Sequence, residues 1–412
     1  MRAGSPRLLR EINDRAAIET LLREGPLTRS DLEYVIGLSK PATAQLLTRL
    51  EQDGIVVKDG VRGGGRGPRA QLWSVNGAVA HVAAVDLTAH ATEFAIADVT
   101  GRVLAEHSAT LPVAAGADVV AAFRTALTGA ATAAGLTLDN LKHVVIGAQG
   151  ALNPATGFLE SAPHLPGWSG FDLPGSLSAD LGMGVTIEND VNLVALEEMI
   201  SGEAADLRDF ALVWLSEGVG GAVVVGRKLL KGASGGAGEI DFMRVPDTGT
   251  RADVGSERFG DLVESPAIVA LAAAHGITAG NGWDAVTAAL EAGDDGRLFL
   301  TELAGRVAAG VANIVSVVDP EVVLLCGAVS HAGGQVLADL VAKRLHELVV
   351  PRTPVGLASV PGNPVRAGAL HSALAVVRQD MFGLPPAMYE TLPGSRGPAV
   401  GEPGSASAVA VP

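Results

Sequence analysis

Gly37-Leu38-Ser39 constrains this chain most, because so short a turn, opened by glycine, forces the helices on either side of it to cross steeply. The helix before it starts at Thr28-Arg29-Ser30-Asp31, where a Thr cap with Asp three residues on is a near relative of the capping box. Leu32, Val35 and Ile36 form its expected inner face. Ser39 caps the helix after the turn, and Pro41 falls in the first turn, where a missing N–H costs little. Leu46, Leu47 and Leu50 make the inner stripe of that helix, so Lys40, Thr43, Ala44, Gln45 and Thr48 are expected to point outward. An earlier helix over residues 13–24 buries Ala16, Ala17, Ile18, Leu21 and Leu22 and ends at Gly25-Pro26.

After Gly54, residues 55–58 and 71–75 read as paired strands around the tip Arg62-Gly63-Gly64-Gly65-Arg66-Gly67-Pro68-Arg69. Residues 1–76 are therefore expected to form a winged helix-turn-helix that binds double-stranded DNA. In that reading Ser39, Lys40, Thr43 and Gln45 face the major groove, with Lys40 and Gln45 as base readers for guanine and adenine. Arg62, Arg66 and Arg69 would follow phosphates or enter a narrow minor groove, and supply salt-dependent affinity. A solvated basic hairpin, or an interaction module without DNA, would use the same residues differently.

Charge supports the division. Residues 1–75 carry 12 Lys and Arg against 9 Asp and Glu, whereas the rest of the 412-residue chain carries 18 against 36. A mildly basic head on an acidic body suits a protein whose head alone meets phosphates. A length of 412 residues suits two or three domains. No run reaches the roughly 18 consecutive apolar residues of a membrane span, and Met1–Arg10 lacks an apolar signal core, so a cytoplasmic protein without a membrane partner is expected. The single Cys326 excludes an intrachain disulfide and a zinc site of several thiolates.

From His81 the pattern alternates. Strands are expected at 81–85, 93–97, 103–104, 144–146, 186–187, 211–215, 222–225 and 322–325, and helices at 119–134, 190–199 and 300–318. This is an α/β body, expected to form two lobes with a cleft between them over residues 77–385. Residues 386–412, poor in large apolar side chains, are expected to be a disordered tail.

Four segments in order carry a resemblance: Pro163-His164-Leu165-Pro166-Gly167-Trp168, Glu188-Asn189-Asp190-Val191-Asn192, the glycine-rich run from Gly232 to Glu239-Ile240, and Leu325-Cys326-Gly327-Ala328-Val329-Ser330. The chain resembles the ROK family of bacterial sugar kinases and transcriptional repressors from its helix-turn-helix to about residue 380. The resemblance implies an actin-like ATPase body of two repeated α/β lobes, a winged head, and a sugar or sugar phosphate as ligand. It implies that Asp190 holds the position of the kinase base, with Asn189 and Glu239 on sugar hydroxyls, His164 in place of an Asn, and Glu264 standing for a further sugar-binding Glu. Asp190 also reads as a helix N-cap, a role compatible with ligand contact.

The nucleotide half departs from the family in three places. The first phosphate loop, Asp-x-Gly-Gly-Thr in the kinases, is Asp86-Leu87-Thr88-Ala89-His90, without the glycines that let a backbone approach phosphate. The second, Gly-Thr-Gly-x-Gly-Gly-Gly, is Ser216-Glu217-Gly218-Val219-Gly220-Gly221-Ala222, with Glu217 facing where the phosphates would lie. The zinc-binding cysteines are missing from residues 248–261, and Phe242 replaces a histidine that also touches the sugar. The expectation is a DNA-binding regulator, a repressor by the family resemblance, controlled by a sugar or sugar-derivative effector in the interlobe cleft, with no catalytic residue in use, no cofactor, no metal and kinase activity lost. A two-fold operator implies a homodimer or a dimer of dimers. The alternatives are a DNA-bound regulator controlled by a protein partner and a bifunctional ATP-dependent sugar kinase.

Overall fold

The computed structural model describes residues 6–63, 69–160, 162–245 and 258–385. At its start α1 (Pro6–Glu24) leads through β1 (Leu27–Thr28) into α2 (Arg29–Ile36) and α3 (Lys40–Gln52), and the hairpin β2 (Val56–Arg62) and β3 (Ala70–Val75) follows. Thr28 closes a full capping box: its hydroxyl accepts from Asp31 N–H, and the Asp31 carboxylate accepts from Thr28 N–H at 2.9 Å. Gly37 ends α2 in the left-handed region at φ 73°, which few other residues adopt cheaply. The strands form a sheet in the order β1-β3-β2. Two expectations change here. The first helix begins at Pro6 rather than residue 13, because its early turns expose Leu8, Leu9 and Ile12 and so show no buried periodicity. Val35 lies exposed beside Tyr34, since a helix of two turns presents only Leu32 fully to the core.

The body repeats one topology twice. Its first lobe runs β4 (His81–Leu87), β5 (Thr92–Asp98), β6 (Val103–Ala109), α4 (Val119–Ala133), β7 (Leu141–Ala148), β8 (Ala151–Leu152), β9 (Leu159–Glu160), α5 (Leu173–Leu181), β10 (Gly184–Asn189) and α6 (Asp190–Ser201). The second runs β11 (Phe210–Leu215), β12 (Val219–Val225), β13 (Lys228–Leu229), α7 (Gly260–Val263), α8 (Ser265–Ala274), α9 (Gly282–Glu291), α10 (Gly293–Val318), β14 (Val322–Cys326), α11 (Ala328–Leu348), β15 (Val355–Leu357) and α12 (Pro364–Phe382). The sheet orders are β10-β7-β4-β5-β6 and β13-β12-β11-β14-β15. In each, an antiparallel three-strand meander is extended by two parallel strands, β7 and β10 in one and β14 and β15 in the other. α10 is long and apolar enough to cross a membrane by length and composition, yet most of it is buried, with Phe299, Leu303, Val307 and Val311 in the second lobe's core.

Alternating side chains place three apolar layers. Ala83 and Val85 of β4 face an outer core with α4, while Val82 and Ala84 face inward. The inward layer is continuous with the head: Ala17, Ile18 and Leu21 of α1 share one cluster with Leu193 and Leu196 of α6, Leu212 of β11, and Val377, Phe382 and Leu384 at the end of α12. α12 lies against α6 so closely that a Cβ on Gly368 would stand 2.1 Å from the Leu193 carbonyl oxygen. Its 19 residues span roughly 28 Å at 1.5 Å per residue.

Gly368→Ala is therefore expected to lower the stability by about 1–3 kcal/mol or more, the usual result of overpacking. Gly305→Ala in α10, where a Cβ meets nothing within 4 Å, should instead stabilise by roughly 0.5–1 kcal/mol. Denaturant unfolding of the two variants checks both signs.

Candidate functional site

The strand ends of the two lobes open on one cleft of about 870 Å³, the usual place for a ligand in an open α/β sheet. Its first wall is the β4–β5 turn. There Thr88 N–H donates to the Ala91 carbonyl at 3.1 Å, and the N–H groups of Ala91 and His90 donate to the Thr88 hydroxyl at 3.1 and 3.4 Å. Opposite lies the β11–β12 turn, in which Ser216 N–H donates to Gly218 O and Gly221 N–H to Gly238 O, both at 3.0 Å. The two turns touch across the gap: His90 Nε2 donates to Glu217 Oε1 at 3.0 Å. His90 and Glu217, one from each altered phosphate loop, are thus the two halves of an interlobe contact.

The other wall starts where β10 becomes α6. Asn189 is the N-cap, accepting from Asn192 N–H at 3.1 Å and donating from Nδ2 to Gly150 O at 3.1 Å. The capping role anticipated for Asp190 therefore belongs to its neighbour, and Asp190, the first helical residue, accepts from Val191 N–H at 2.8 Å. Glu188 is fully engaged by Asn189 N–H, Asn192 Nδ2 and Lys231 Nζ. Glu239 and Glu264 line the cleft, as does His164, exposed on the strap Pro163-His164-Leu165-Pro166. Trp168 anchors that strap, fully buried and donating from Nε1 to Pro112 O at 2.9 Å.

Charge is uneven in the cleft. Burial pushes the Asp190 carboxyl up to about 6, and the Asp86 charge adds to it, while the Val191 N–H pulls the other way. Burial likewise raises Asp86 to about 6, opposed by the Asn363 amide and assisted by Glu93. Glu239 rises to about 7, from burial first and then from Asp190 and Asp241. Glu264 is raised by burial and Asp241, with Arg258 opposing. Phe242 is 53% exposed in the cleft, its ring 4.4 Å from the Arg258 guanidinium, which also pairs with Asp241. Among the described residues no group of three or more His, Cys, Asp or Glu is placed to hold a metal ion.

Several cleft residues escaped the sequence reading. Asn363 caps α12 and donates from Nδ2 to Asp86 and Glu93 at 2.8 and 2.9 Å, and Val365 lines the cleft itself. Asn363-Pro364 is a helix-start signal that could have revealed them. Trp283 follows the Asn281 cap of α9 and also lines the cleft. Arg258 carried no local signal.

In the head, Lys40 and Gln45 are exposed on α3. Thr43 is not: it is fully buried, and its hydroxyl donates to Ser39 O at 3.2 Å, so the expectation that it faces DNA is corrected. The helical position 43 falls beside Leu46, Leu47 and Leu50 rather than opposite them. Ser39 is exposed and caps α3 without a side-chain bond. Arg62 is half-committed to Asp31 at 2.8 Å, Arg69 is exposed, and Arg66 lies outside the described residues, as do 386–412.

The raised carboxyls fix a pH signature. Asp190 ionises in the folded state only above its ordinary pH range, so folding favours the protonated form and this contribution fades as pH rises from about 4 through about 6. Asp190→Asn keeps an acceptor for Val191 N–H and removes the charge. The variant should gain thermal stability over the parent at pH 8 and little at pH 4.5, as thermal unfolding at the two pH values would show.

Comparison with known proteins follows the same outline. The ROK family pattern matches residues 82–371. A putative xylose repressor of Caldicellulosiruptor sp. is 23% identical over 364 residues, 85% of this chain and 90% of that protein. A glucokinase of Halalkalibacterium halodurans is 28% identical over 234 residues, covering 53% of this chain and 70% of the enzyme. A ROK family transcriptional regulator of known structure, a homologue of the E. coli MLC protein, superposes with a TM-score of 0.70 over 89% of this chain and 96% of its own, at 19% identity, a likeness of fold. This chain belongs to the ROK family.

Proposed function

We propose that the protein is a transcriptional repressor whose winged head binds an operator and whose interlobe cleft binds a sugar that releases it. The observation that carries this reading is a continuous path from cleft to head: α12 puts Val365 in the cleft wall, its cap Asn363 bonds Asp86 of the cleft, and it ends near Phe382 and Leu384 in the cluster that holds α1. A ligand that changes the lobe angle has a lever on the head, provided it binds one lobe arrangement better than the other. The similarity to a xylose repressor over 85% of the chain supports the same reading and makes a pentose the first effector to try. Kinase activity is taken as lost, because the turns that would cradle ATP lack glycines of the kinase loops, bond several of their N–H groups internally and are bridged by His90 and Glu217. Asn189, Asp190, His164, Glu239 and Glu264 are the proposed sugar contacts, and the operator-bound form is a homodimer or dimer of dimers.

The decisive experiment measures operator affinity by fluorescence anisotropy against a panel of sugars at fixed salt. Asp190→Ala should bind operator as the parent does and lose the response to every sugar, whereas an unchanged response would remove Asp190 from the site. Operator binding that no sugar alters would favour control by a protein partner.

The head makes its own prediction. Lys40→Ala should relax sequence preference and cost about 1–3 kcal/mol on the preferred operator. Arg69→Ala should weaken all sequences alike and reduce the slope of log affinity against log salt by about 1. Titrations at several salt concentrations separate the two.

A further inference from the structure

The cleft reading leaves open whether the effector is a free sugar or its phosphate ester, and the lining of the cleft distinguishes them. A phosphate monoester is close to doubly negative at neutral pH and is held in proteins by Arg or Lys forks or by converging backbone N–H groups. Among the described residues that line the cleft, no Arg or Lys is left unpaired. Asp86, Asp190, Glu217, Glu239, Asp241 and Glu264 all line the cleft. Of its bases, Arg258 is already paired with Asp241 and His90 with Glu217. His164 stands exposed on the rim strap, close enough to Glu264 to feel its charge. Five backbone donors at the two turns are spent as well. Thr88, His90 and Ala91 N–H groups bond within their own turn, and Ser216 and Gly221 N–H groups go to Gly218 and Gly238 carbonyls.

A neutral polyol meets the opposite situation. The carboxylate of Glu239 has no hydrogen-bond partner among the described residues, and Asp190 accepts only from the backbone at its own position and at Val191. Sugar hydroxyls supply donors for such acceptors without adding charge.

We infer that the cleft is selective for an uncharged, unphosphorylated sugar, and that Glu217, braced by His90 across the lobes, is a specificity-determining residue that excludes phosphate esters. The inference rests on the proposed sugar-binding role of the cleft and narrows it. Like charges a few ångströms apart in a half-buried cleft strengthen as water is expelled, so the exclusion grows when the lobes close.

The test uses the full-length protein and matched pairs of probes: D-xylose with D-xylose 5-phosphate, and D-glucose with D-glucose 6-phosphate. Operator release and thermal shift are measured for each. At least one free sugar is expected to act, with its phosphate ester 100-fold or more weaker. An ester as potent as its free sugar, or more potent, overturns the inference and leaves the cleft as a sugar site. If no member of either pair acts while operator binding is intact, the inference fails together with the sugar reading for these probes. Glu217→Gln keeps a hydrogen-bonding side chain at a partly exposed turn and removes the charge. It should leave operator affinity and free-sugar response within about twofold of the parent and narrow the discrimination against the ester to 10-fold or less. Unaltered discrimination in a variant that still binds operator would remove Glu217 from the role.

Discussion

The close packing of α12 on α6 is the contact on which the rest depends. Gly368 brings the backbones together at the Leu193 carbonyl, and any side chain there would separate them. Because α6 starts at Asp190 and α12 at Pro364, with Asp190 and Val365 both lining the cleft, the two helices have their N-termini there. Both also lie in the apolar layer between the two sheets, so the helices that shape the site are those that join the lobes. α12 then runs on to the head, where Gly383, at φ 64°, stops it against Arg15 of α1. A packed interior yields in discrete rearrangements rather than by continuous bending, so a change in lobe angle reaches α1 as a shift of the whole helix.

A second constraint comes from charge held at close quarters. Burial raises the cost of ionising Asp86, Asp190 and Glu239, and the charge of Asp86 adds to it at Asp190, as that of Asp190 does at Glu239. Isolated buried carboxylates are costly unless paired, and the fold pairs only some of them: Asn363 serves Asp86 and Glu93, Arg366 serves Glu93 and Glu106, and Arg258 serves Asp241. Glu239 is left without such service. Sites held in unfavourable protonation balance are common where a ligand is meant to complete them.

Much of this was legible because local rules and tertiary structure agree. Thr28 with Asp31, the Gly37 turn and the Leu46, Leu47, Leu50 stripe each name their element without help from the rest of the chain. Near-continuous apolar runs in β4 and β11 mark strands whose two faces are both buried. Thr43 was misread because a β-branched polar residue can sit inside when its hydroxyl bonds the carbonyl four residues back, which no apolar count reveals. The N-terminal turns of α1 were missed for the opposite reason, since exposed Leu8, Leu9 and Ile12 carry no periodic signal. In the cleft, the residues from strand ends were legible as motifs. Asn363, Arg258 and Trp283 come from distant parts of the chain, and only the duplicated topology brings them to Asp190.

The same duplication explains why losing the phosphate loops does not unmake the site. In each lobe the sheet is fixed by its own strand register and outer core, and neither depends on a nucleotide between the turns. With Thr88 and Ala89 where the kinases carry glycines, the N–H groups of His90 and Ala91 bond the Thr88 hydroxyl. Glu217 then requires a partner, and His90, from the other lobe, provides one. That pair is partly exposed, so it contributes little to stability. In the proposed reading its effect is on what the cleft admits: the two turns hold each other, and the end of the cleft at Asp190 and Glu239, where the Glu239 carboxylate has no partner among the described residues, is the part that a ligand would complete.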